Sequence, residues 1–80
     1  MSKTLRSARH QAVRRLLVDE RKRAGLTQAA VAAKLRRYQS YVATVESGQR
    51  RVDVVEFLAF AEAIGFNPQK AIKEVVSVKS

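Results

Sequence analysis

The stretch QSYVATVESG at residues 39–48 gathers side chains that form hydrogen bonds with little charge of their own. In a helix each residue advances about 100°. On that count Gln39, Ser40, Ala43, Thr44 and Ser47 share one face, while Tyr41, Val42, Val45 and Glu46 fill the other. The first face is small and polar, and the second is built to pack. Charge stands at the rims: Arg36 and Arg37 precede the stretch, and Gln49, Arg50 and Arg51 follow it. Short polar groups framed by cations suit a surface with phosphates at its edges and hydrogen-bonding groups at its centre. The major groove of DNA is such a surface.

The rest of the composition points the same way. Residues 1–37 hold eleven basic and two acidic residues, whereas residues 38–80 hold five of each. The net charge of +9 on 80 residues exceeds what solubility asks of a small domain and implies a polyanionic partner. There is no cysteine, so disulfides, thiolate metal sites and cysteine nucleophiles are excluded. The same lack fits a reducing, cytoplasmic setting. No apolar run approaches a membrane span. Arg-rich residues 1–20 have the look of a transit peptide or a membrane-surface helix, but their pattern runs on into the domain. His10, alone among basic residues, is expected at the surface. Phe57, Phe60 and Phe66 are expected in the core or a dimer contact rather than as platforms for single strands. No phosphate loop and no carboxylate pair with a base occur, so the chain reads as a non-enzyme without metal or cofactor.

The elements that must position the polar face are helices. Residues 4–24, with Leu5, Val13, Leu16 and Leu17 at helical spacing, form the first and stop at Gly25. Thr27 caps a second over 28–35, placing Val31, Ala32 and Leu35 on one side. After a turn at 36–38, the third runs over 39–47 and ends at Gly48. Asp53 and Glu56 open a fourth as a capping box, with Val55, Leu58, Ala59, Ala61 and Ile64 available to a core. Asn67-Pro68 opens a fifth that reaches about Ser77, with Ala71, Ile72, Val75 and Val76 inward. The expected fold is all-α, a compact five-helix bundle in one domain of residues 1–80. Its core covers about 9–66, its helix-turn-helix 28–47 and its C-terminal helix 68–77.

The segments LTQAAVAAKL at 26–35 and QSYVATVESG at 39–48 resemble the helix-turn-helix of the lambda-repressor/Cro-like, XRE-type family of bacterial and phage regulators. The resemblance extends from Arg21 through GQRRVDVVEFLAFAEAIG at 48–65. It implies a transcriptional repressor or regulator that binds double-stranded DNA as a homodimer. It also implies base reading by Gln39, Ser40, Ala43 and Thr44. Phosphate contacts are implied for Gln28, Arg36, Arg37, Ser47, Gln49, Arg50 and Arg51, and an ion pair for Arg21 and Glu46. That pair has its own reason: Glu46 lies on the packed side of its helix, where a lone carboxylate is costly. The chain departs from the family pattern at two positions. Arg36 stands where a turn glycine is usual, at a cost on the order of 1 kcal/mol if φ is positive. Tyr38 replaces a small cap or proline, so that its ring either covers the turn or reaches a sugar-phosphate. Two competing readings are an antitoxin-like protein that also binds a toxin partner, and a basic RNA-binding or membrane-surface module. Dimer contacts are expected on the fourth and fifth helices, at Phe66, Ile72, Val75 and Val76.

Overall fold

The structure, a computed structural model, describes residues 7–79. Among the described residues five helices follow one another: α1 (Ala8–Arg23), α2 (Gln28–Leu35), α3 (Gln39–Glu46), α4 (Val54–Ile64) and α5 (Pro68–Val76). Residues 4–6 of the expected first helix, Leu5 among them, lie outside the described residues. Among the described residues, no helix is long and apolar enough to cross a membrane.

Local chemistry sets most of the boundaries. The side chains of Ser7, Thr27, Asp53 and Asn67 each accept a backbone N–H from three residues ahead, closing the first turns of α1, α2, α4 and α5. At α4 the box is complete, since the Glu56 carboxylate accepts the Asp53 backbone N–H in return at 2.9 Å. α3 starts differently. Its N-cap, Tyr38, makes no side-chain cap bond, so α3 depends on tertiary packing.

That packing is one apolar cluster. Leu17 of α1, Val31 and Ala32 of α2, Val42 and Val45 of α3, Phe57 and Phe60 of α4, and Ala71 of α5 are buried together. The small Ala32 lets α2 and α3 cross closely. Tyr41 stacks on Phe60 with centroids 6.0 Å apart, and Phe66 meets Phe57 edge-on at 5.7 Å. Truncating a buried phenylalanine such as Phe60 costs about 3–5 kcal/mol, so the platform beneath α3 is a stiff one.

Several expectations are corrected here. Val55 and Leu58 face outward, at 76% and 45% exposure, because Phe57, Phe60 and Ala61 already fill the inward arc of α4. Ile72 and Val76 are likewise exposed, while Ala71 carries the contact of α5 with the core. Phe66, expected in the core or a dimer contact, is half-buried and packs edge-on against Phe57. His10 is buried: its ring Nε2–H donates to the carbonyl of Gly48, 38 residues away, at 2.9 Å.

Candidate nucleic-acid interface

α3 presents its two faces as the spacing predicts. Val42, Val45 and Glu46 are buried, Tyr41 is half-buried, and Gln39, Ser40 and Ser47 are exposed. Ala43 and Thr44 are half-buried at the edge. The Thr44 hydroxyl donates to the Ser40 carbonyl at 2.7 Å, and the Ser47 hydroxyl donates to the Thr44 carbonyl at 2.9 Å. Each hydroxyl therefore keeps only lone pairs for an incoming ligand. For Thr44 that leaves an acceptor, suited to a base amino group. For Ser47 it works against a phosphate role, since phosphate oxygens only accept.

Beneath the exposed end of α3 runs a chain of polar contacts. The Arg21 guanidinium grips Glu46 with two bonds, Nε to Oε2 at 2.6 Å and Nη2 to Oε1 at 2.9 Å. Its third nitrogen, Nη1, donates to the Leu26 carbonyl at 2.9 Å. Gln28 donates its amide Nε2 to Glu46 Oε1 at 2.8 Å, and its Oε1 accepts from Gln39 Nε2 at 3.3 Å. Burial pushes the Glu46 carboxyl up. The hydrogen bonds from Arg21 and Gln28, with the charge of Arg21, outweigh that and hold it below the ordinary carboxylate value. The Glu46 bond keeps the Arg21 guanidinium above its usual range.

This chain has a direction. A carboxylate only accepts, so Gln28 must turn its NH₂ inward and its oxygen outward. Gln39 must then turn its own NH₂ toward Gln28. Its carbonyl oxygen and second N–H remain for a ligand, in a fixed order. A buried charge thus orients an exposed amide through one intermediate side chain.

The rim cations differ in state. Arg37 lies over the Tyr41 ring at 3.7 Å from its centroid, and Arg50 over it at 5.0 Å. Arg50 also donates through Nη2 to Glu56 Oε2, which accepts the Tyr41 hydroxyl at 3.1 Å as well. The backbone bond from Asp53 leads the interactions that hold the Glu56 carboxyl below its ordinary value, and Arg50 adds to it. Burial, then the Glu56 charge, pushes the Tyr41 phenol up. The Arg50 charge, expected at a phosphate, is therefore already matched within the protein. Arg36, Arg37, Gln49 and Arg51 are exposed.

A family model described as a helix-turn-helix domain matches residues 1–72. An XRE-family like protein from Pseudomonas syringae pv. tomato str. DC3000 has a solved structure that superposes with a TM-score of 0.86. It is 39% identical, over 99% of this chain and 96% of that one. The chain belongs to the XRE-type helix-turn-helix family. The restriction-modification controller protein C.AhdI from Aeromonas hydrophila is 32% identical, with a TM-score of 0.73 over 81% of this chain and 98% of that one. The clp gene regulator ClgR from C. glutamicum shares the fold, with a TM-score of 0.80 at 19% identity over 92% of this chain and 96% of that one. Sequence comparison with curated proteins finds no match. With its XRE relatives, the protein is a DNA-binding regulator of transcription.

Within that XRE frame, the turn between α2 and α3 keeps its shape despite Arg36. Arg36 adopts the left-handed conformation, φ 57° and ψ 43°. Its N–H reaches the Ala33 carbonyl at 3.1 Å, and the Arg37 N–H reaches the Ala32 carbonyl at 3.0 Å. These are the paired bonds of a Schellman end, formed without glycine. Tyr38 does not cover this turn: it is 86% exposed, beside Gln39 at the start of α3. The Tyr41–Arg50–Glu56 group is not legible in the sequence, because the capping box with Asp53 already accounts for Glu56. The only signal available was that Tyr41, on the packed side, brings a hydroxyl that needs a partner.

Proposed function

We propose that the protein binds duplex DNA as a homodimer, with α3 of each subunit in successive major grooves, and that residues 1–80 act as one DNA-binding unit. The observation that carries this is the small polar face of α3, led by a Gln39 amide held in one orientation and rimmed by exposed cations. Gln39 would then pair with adenine through its carbonyl oxygen and free N–H, as such amides do. Ser40, Ala43 and Thr44 would lie against neighbouring base edges. The phosphates would be met by Arg36, Arg37, Gln49 and Arg51 on the rims. Gln28, whose oxygen is engaged, would approach a phosphate with its second amide N–H. Arg50 would shape the loop rather than hold a phosphate.

Dimerisation follows from the size of the reader. α3 has 8 residues and spans too few base pairs for specificity on its own. Two copies reading half-sites about 34 Å apart remove that limit. The outward Ile72 and Val76 of α5, with Val54, Val55 and Leu58 of α4, are apolar surface that a second subunit would cover.

The test is selection of bound duplexes from a random pool, followed by sedimentation of the free protein and its complex. A pseudo-palindromic site bound by two chains is the expected result. No enrichment, or equal binding to duplex DNA, RNA and anionic vesicles at one salt concentration, would overturn the reading. A monomer both free and on DNA would remove the dimer alone.

A further inference from the structure

We propose that Arg14 of α1, outside the helix-turn-helix, is a phosphate contact of the DNA-binding surface. The proposal rests on the reading that α3 enters the major groove.

The geometry begins at Gly48, the residue that ends α3. It adopts φ +84°, and a Cβ placed there would lie 2.8 Å from Arg14 Cδ and 3.1 Å from Arg14 Nε. The arm of Arg14 therefore rests directly on the glycine, in space any other residue would occupy. Gln11 Nε2 lies beside it, 3.5 Å from the same point. One turn earlier on α1, the His10 ring donates to the Gly48 carbonyl. The end of the recognition helix is thus fastened to α1 by one hydrogen bond and covered by one cationic arm.

That cation is unmatched among the described residues. Arg21 and Arg23 of α1 have carboxylate partners, Glu46 and Glu20. Arg9 holds the carbonyls of Val76 and Val78. Among the described residues, Arg14 has no hydrogen bond or ion pair, yet packing over Gly48 restrains its arm. A guanidinium held in place without a counterion is prepared for an oxyanion from outside.

Position supplies the source of that oxyanion. Eight residues of helix at about 1.5 Å each span about 12 Å, close to the major-groove width of about 12 Å. With α3 in the groove, the Ser47–Gln49 end comes up against the phosphates of one strand. Arg14 lies over Gly48 at that end, and the next residue, Gln49, is exposed. Its chain neighbour Arg15 points elsewhere, lining a groove between α1 and α5 with Asp19 and Glu74, and serves as the control.

The experiment measures affinity for the selected duplex and for an unrelated duplex over a range of salt, for wild type, Arg14→Gln, Arg14→Lys and Arg15→Gln. Each phosphate neutralised contributes roughly 0.9 to the slope of log affinity against log salt. Arg14→Gln should flatten the slope by about that amount per subunit and weaken both duplexes alike. Arg14→Lys should retain the slope, and Arg15→Gln should leave it unchanged. An unaltered slope in Arg14→Gln, or equal flattening in Arg15→Gln, overturns the proposal. If Arg14→Gln does not fold, phenylglyoxal labelling of the wild type decides. Protection of Arg14 but not Arg15 by duplex supports the contact, and equal labelling overturns it. Wild type that binds no duplex would defeat the DNA reading itself, a result distinct from either.

Discussion

Replacing Glu46 with alanine deletes three acceptor contacts at once, two with Arg21 and one with Gln28. The Arg21 side chain is 13% exposed, so its charge would remain where water enters poorly, with only the Leu26 carbonyl for company. Breaking a buried pair from one side costs about 3–5 kcal/mol. Residual exposure favours the lower end, about 3 kcal/mol. A domain of this size holds about 4–12 kcal/mol in total, so the loss removes a quarter to most of it. With a urea m-value near 1 kcal/mol/M, the unfolding midpoint should fall by about 3 M. Glu62→Ala, at an exposed acid on α4, should change stability by less than about 0.5 kcal/mol. The double variant Arg21→Ala with Glu46→Ala should cost clearly less than the sum of its parts, since the second change removes the orphaned charge. Urea titrations of five proteins, the wild type, Glu46→Ala, Glu62→Ala, Arg21→Ala and the double variant, give the answer. Equal, small shifts for Glu46→Ala and Glu62→Ala, or strict additivity in the double variant, would show that the pair is not a unit and that α3 is held by its apolar contacts alone.

Three further outcomes are expected. Gln28→Ala should free the Gln39 amide to turn, relaxing base choice at one pair per half-site by about 1–3 kcal/mol; a uniform loss across all duplexes would argue against the orienting role. Both Glu46 and Glu56 titrate below their ordinary value, so their stabilisation is present above about pH 4.3 and disappears as pH falls through the lowered values. Urea midpoints should therefore drop on acidification below that point, and Glu46→Gln, less stable at neutral pH, should show a shallower drop. Arg36→Gly should relieve the left-handed backbone and raise stability by about 1 kcal/mol, while the loss of its cation should flatten the salt dependence of DNA binding.

What could be read from the sequence was whatever depends on neighbours. Thr27, Asp53 with Glu56, and Asn67 with Pro68 announce helix starts within four residues, and the structure starts α2, α4 and α5 there. The faces of α3 were legible because its two arcs differ in chemistry. α4 is apolar around most of its circumference, and the apolar arc of α5 is wider than the strip that meets the core, so periodicity could not say whether Val55 or Phe57, Ile72 or Ala71, would turn inward. His10 could not be placed from its surroundings, since its partner carbonyl is 38 residues away. For Arg50 the sequence carries only its charge. Its pairing with Glu56 depends on a loop whose path no local rule dictates.

The bond between Arg9 and the last turn of α5 bears on how the chain is ordered. Arg9 Nε donates to the Val78 carbonyl at 2.7 Å, and Nη2 donates to the Val76 carbonyl at 3.1 Å. Residues near the two ends of the described chain thus meet, and α1 through α5 make a closed circuit. A short linker from 79 back to 7 would preserve that circuit while the backbone was cut elsewhere. The turn at Gly25 offers a place to cut, since it is exposed and a side chain placed there would meet nothing within 4 Å beyond its chain neighbours. Such a circular permutant would begin with the helix-turn-helix and finish with α1. The reading surface would then be synthesised before the helix that braces it, and its folding would wait on the last segment of the chain.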